Sequence, residues 1–133
     1  MLFLIHLVST AIMVGAIWVI QLVHYPSFYY IDKNNYMKFQ NFHMNRISYI
    51  VIPAMTVELF SGLLIIYLGL KNDILFMISI ILLITIWFST ALLFTRIHQK
   101  LTEGYEFLLI KKLVKTNWMR TILWSLRLII LLL

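Results

Sequence analysis

Long apolar runs separated by short polar and aromatic segments set the plan of this chain. The first run closes at His24-Tyr25-Pro26, where Pro26 disfavours helical geometry in the residue before it, and predicts a helix over about 2–24. A mixed segment over 27–46 follows, in which Asp32 and Asn34 are suitable caps for a helix that begins near Asn35 and runs straight into a second apolar stretch. That stretch covers 47–70 and holds Pro53, a kink point. Gly69 to Asp73 reads as a short turn, and a third run over 74–94 carries no charge before it continues through Arg96, His98 and Gln99 to a break at Gly104. Between Tyr105 and Lys115, Leu108, Leu109, Leu113 and Val114 alternate with three lysines at helical period, which predicts an interfacial helix leading into a fourth run over 118–133.

Composition places these runs in lipid. Hydrophobic residues make up 62% of the 133 and charged residues 12%, too apolar a mixture for a water-facing surface. Four crossings of a bilayer core use about 80 residues, so the chain holds one domain, 1–133. The predicted fold is all-α: a polytopic membrane protein, a four-transmembrane-helix bundle with interfacial helical extensions on the cytoplasmic side. The first run has no basic residue before it and carries Trp18 and Ile20 where a cleavage site needs small residues, so it is expected to be retained. The net charge of +6 does not indicate nucleic acid, because the basic residues flank apolar runs. Lys33, Lys38, Arg46, Arg96, Lys100, Lys111, Lys112 and Lys115 share one side against Lys71 on the other; that side is expected to be cytoplasmic, with both termini outside. The chain has no cysteine, so a metal site would rely on histidine or oxygen ligands.

Ionisable residues inside a bilayer are costly and usually face the bundle interior. Glu58 and Arg127 both fall near mid-depth and are natural partners, either in chemistry or as a clamp on helix register. Asn117, Arg120, Trp124 and Arg127 form one stripe on the last helix. His24, His43 and His98 end three different helices on the cytoplasmic side, level with Asn117 and Arg120, while His6 stands apart near the outer face in a structural or interfacial role. The expected site therefore takes His24, His43, His98 and Glu58 as catalytic residues, the three histidines as ligands to a metal ion or haem, and Asn117, Arg120 and Arg127 as cofactor-binding residues.

The runs around Gln21-Leu22-Val23-His24-Tyr25-Pro26, Phe42-His43, Pro53 to Leu59, His98 to Leu101 and Thr116 to Thr121 resemble a group of small bacterial four-helix membrane proteins over nearly the whole chain. That resemblance implies the fold, the topology and a bacterial inner-membrane location. A more distant likeness is to anthrone-oxygenase-like membrane domains, which share the four-helix layout and an Asn-Trp-x-Arg start to the last helix; it implies oxidation of a bound polycyclic aromatic at positions matching His24, Asn117, Trp118 and Arg120. Two classes of function fit. One is a redox or oxygenase-like protein, and the other a non-enzymatic membrane protein: a small transporter, a lipid-binding module or an accessory subunit, working as a homo-oligomer or within a larger complex.

Overall fold

A computed structural model describes residues 1–133 as an all-α bundle with no strand. Four helices make it up: α1, Leu2–Tyr30; α2, Tyr36–Tyr67; α3, Ile74–Leu101; and α4, Phe107–Leu132. The first three are long and apolar enough to cross a membrane. Expected and observed boundaries differ at two places. Pro26 does not end α1: the chain passes through a π-helical turn at Ile20–His24, resumes as helix at Tyr25–Ser27 and finishes in a 3₁₀ turn at Phe28–Tyr30. The wider turn displaces the hydrogen-bond ladder just before a residue that has no N–H to contribute, so proline is tolerated there. The two segments expected over the last third, Tyr105–Lys115 and 118–133, are likewise one continuous helix, Phe107–Leu132, because nothing between Lys115 and Trp118 interrupts the helical period. At ~1.5 Å per residue it is about 39 Å long.

Local chemistry explains the other boundaries. α2 runs unbroken through Pro53 and closes in a Schellman turn, with Gly69 at φ 64° and the amide N–H groups of Leu70 and Gly69 donating to the carbonyls of Ile65 and Ile66 at 3.0 and 2.9 Å. Asp73 caps α3 by accepting from the Phe76 amide at 3.0 Å. A second π turn, Thr90–Phe94, interrupts α3 before it continues over Thr95–Leu101. Around the bundle the order is α2, α1, α4, α3; the seam between α2 and α3 closes chiefly near Thr95–Leu101 and is loose elsewhere. The larger apolar core, built on Ile17, Phe28, Tyr36, Phe94, Leu101, Leu113 and Trp124, fills the end that carries the loops after α1 and α3; a smaller one, around Ile65, Phe76, Ile80, Leu83 and Leu131, fills the other.

Candidate functional site

Polar side chains enter this apolar bundle at two levels. The first lies between the two apolar cores, and every member is buried. Glu58 of α2 pairs with Arg127 of α4. The Glu58 carboxylate also accepts from Thr10 Oγ1 at 2.8 Å and from Trp124 Nε1 at 3.2 Å. Arg127 Nε donates to the Ser79 carbonyl of α3 at 2.9 Å, and its Nη2 lies 3.2 Å from His6 Nε2. Because a guanidinium can only donate, His6 Nε2 accepts, which leaves the ring proton on Nδ1, within 3.0 Å of the Glu58 carbonyl and 2.9 Å of Ser61 Oγ. His6 is thus not an isolated outer-face residue. It packs over Gly62, where a Cβ would stand 2.9 Å from its Cε1 and 2.8 Å from Ile80 Cδ1. The network takes a partner from each helix and satisfies the Glu58 carboxylate and both His6 nitrogens, as a clamp on helix register requires, while the Ser79 hydroxyl stays outside it.

The second level gathers the three remaining histidines at the loop-rich end. The π turn in α1 is what allows this: consecutive residues of a straight helix point ~100° apart, whereas the wider turn brings both His24 and Tyr25 against the interior. His24 Nε2 lies 2.6 Å from His43 Nδ1. His98, on the segment of α3 beyond its own π turn, lies 2.9 Å from Tyr25 Oη through Nε2 and 3.0 Å from Gln40 Nε2 through Nδ1. The His43 and His98 rings pack in a tilted arrangement with centroids 5.3 Å apart and planes inclined at 37°. Deeper on α4, Asn117 donates to Gln21 Oε1 at 2.9 Å, and Gln21 in turn donates to the Val114 carbonyl at 3.2 Å, a cross-tie behind the histidines.

Of the residues singled out in the sequence, His24, His43, His98 and Arg120 share this second level, with Asn117 beside it. Glu58 and Arg127 do not join them; they belong to the clamp. The histidines also do not aim at one point, as a three-imidazole ligand set for a metal or haem would. His24 and His43 face each other, both His98 nitrogens are engaged by Tyr25 and Gln40, and no group of three or more His, Cys, Asp or Glu side chains is arranged to hold a metal ion. Tyr25 and Gln40 are the residues the sequence reading passed over. Gln40 had a signal, because Tyr36, Gln40 and His43 recur at helical spacing; Tyr25 had none without the π turn.

Arg120 occupies a place of its own. It is 4% exposed, its guanidinium stacks on Phe94 at 4.4 Å and against Trp124 at 5.2 Å, and its Nε has no hydrogen-bond partner. It lines a cleft of about 190 Å³ in the loose α2/α3 seam, walled by Ile47, Val51, Thr90 and Phe94, with Tyr25 and His98 at its inner end. Exposed Ile52 and Thr95 stand at its mouth. On the opposite side, His24 and His43 border a second recess of about 160 Å³ with Phe39, Phe42 and Arg46. No protein-family model, curated protein or solved structure matches this chain.

Proposed function

We propose that this is an inner-membrane protein of four spans, both termini outside, whose histidine cluster performs acid–base chemistry, of the kind an oxygenase-like or redox enzyme uses, on a substrate that arrives dissolved in the bilayer. Supporting the fourth span, the exposed large side chains of α4 from Trp118 onward are Trp118, Met119, Ile122, Leu126, Ile129, Leu132 and Leu133, while Arg120 and Arg127 are turned inward. Only the inward charges make that helix look polar in sequence, and a bilayer would meet an apolar face.

One observation carries the chemical reading: two hydrogen-bonded histidine pairings pack side by side, His98 with Tyr25 at the inner end of the α2/α3 cleft and His24 with His43 at the second recess. Neutral imidazole both accepts and donates a proton, so the His24–His43 pair can exchange a proton with a molecule bound in the recess at Arg46, and His43 keeps a ring nitrogen, Nε2, without a partner. The two π turns sit beside these pairings, as such turns often do at working sites. A lipid-binding module without turnover is the competing reading, favoured by Arg120 alone. The test is untargeted mass spectrometry of lipid extracts from cell membranes that hold the wild type, His43→Ala or His98→Ala. A species that appears or disappears with the wild type and is untouched by either variant supports the enzyme; identical extracts from all three, at equal protein levels, refute it.

A further inference from the structure

We propose that the α2/α3 cleft binds an amphiphilic oxoanion, with a carboxylate or phosphate head held by Arg120, Tyr25 and Thr90 and an apolar chain that leaves between α2 and α3. The proposal rests on the reading that this cleft opens into lipid. Charge comes first. Arg120 is a buried cation with no counter-ion: the chain's ion pairs are Lys71 with Asp73 and Arg127 with Glu58, and no acidic side chain lines the cleft. A buried guanidinium without an anion is strongly unfavourable, so a partner from outside the chain is the physical expectation. Phe94 and Trp124 cover its faces, but stacking leaves the in-plane Nε–H unsatisfied, and the guanidinium edge is the planar fork that suits an oxoanion.

The rest of the inner end offers donors too. With Gln40 donating to Nδ1, His98 keeps its proton on Nε2 and donates to Tyr25 Oη, so the Tyr25 hydroxyl still has its own proton to give. Thr90 Oγ1 is buried and has no partner. Two free hydroxyl donors beside the unpartnered Nε–H of one buried cation select an anion over a neutral amide or alcohol. The space, about 190 Å³, accommodates a head group and a few carbons; Val51, Ile52 and Ile47 continue the wall outward as an apolar exit.

The experiment measures binding of oleate, dioleoyl phosphatidic acid, methyl oleate and inorganic phosphate to the full chain in neutral-lipid nanodiscs. Oleate or phosphatidic acid should bind at least about tenfold more weakly to Arg120→Gln, and less so to Tyr25→Phe, since each loses a charge-assisted hydrogen bond. The preference between the two identifies the head as carboxylate or phosphate. Val51→Trp, which fills the cleft without touching a charge, should abolish binding if Arg120→Gln does not fold. Equal binding of methyl oleate, binding of inorganic phosphate as tight as that of the amphiphiles, no binding of either amphiphile to the wild type, or no loss in Arg120→Gln and Val51→Trp overturns the proposal. His43→Ala lies outside the anion's reach and should keep its binding, so loss of turnover in that variant with binding intact separates the anion site from the catalytic reading.

Discussion

Arg127→Met tests whether the mid-depth network is a clamp. The substitution keeps an unbranched apolar stem but removes the guanidinium that pairs with Glu58 and donates to the Ser79 carbonyl. Glu58 then stays fully buried with only Thr10 and Trp124 as donors, at 2.8 and 3.2 Å. Removing one member of a buried ion pair costs about 3–5 kcal/mol, because the other is left as an uncompensated charge. In the folded-to-unfolded ratio that is a factor of roughly 10² to 10⁴. Removing both charges is much cheaper: Glu58→Leu/Arg127→Met should come back to within about 1–2 kcal/mol of the wild type. Unfolding in mixed micelles, titrated with sodium dodecyl sulfate and followed by far-ultraviolet circular dichroism, measures all three proteins and Glu58→Leu to complete the cycle. A cost below about 1 kcal/mol for Arg127→Met, or a double variant no more stable than the single, would show that the pair does not hold the helices together.

Gly62→Ala should destabilise by about 1–3 kcal/mol in the same titration, since the added methyl group meets His6 and Ile80 at 2.9 and 2.8 Å; an unchanged midpoint would mean that the helices part there without cost. The natural chain has no cysteine, so single cysteines report topology directly. A membrane-impermeant maleimide added to intact cells should label Asn72→Cys and miss Glu103→Cys, and the reverse pattern would invert the assigned orientation.

The fold was legible where a single physical signal governed it. Apolar run lengths located α2 and α3, and Asp73 and Gly69 mark real ends because caps and left-handed turns are local chemistry; α2 does begin beside Asn35, but neither Asp32 nor Asn34 is its N-cap, and Asn35, which is, makes no side-chain capping bond. The failures share a cause. Pro26 reads as a terminator only if the ladder before it is α-helical, and Ile20–His24 is a π turn that no residue type announces. The lysines of α4 look like a separate interfacial helix because sequence periodicity cannot tell a change of surroundings from a change of element. At the site, helical spacing brought His24, His43, His98, Asn117 and Arg120 to one level, but depth along a helix was a poor guide to partners. His6 lies far from Arg127 in sequence, yet the antiparallel course of α1 and α2 sets it beside Glu58 and Ser61.

The clamp and the cleft are two consequences of one packing arrangement. α1 binds α2 along its length, and at mid-depth His6, Thr10, Glu58 and Ser61 reinforce that contact with side chains from both helices. α3 is held differently: it gives the clamp only a backbone carbonyl, at Ser79, and packs mainly on α4. Between the smaller apolar core, where Ile65 and Gly62 meet Phe76 and Ile80, and the tie from Gln40 to His98 near the loops, no hydrogen bond joins α2 to α3. The π turn at Thr90–Phe94 carries Thr90 and Phe94, both of which line the cleft, and Tyr25 follows directly on the π turn in α1 and reaches its inner end. Arg120 then lies between Trp124, which ties it to the clamp through Glu58, and Phe94, which lines the cleft. A clamp on one side and a loose seam on the other hold the buried guanidinium at the cleft with its Nε unpartnered, which is the geometry the proposed anion site requires.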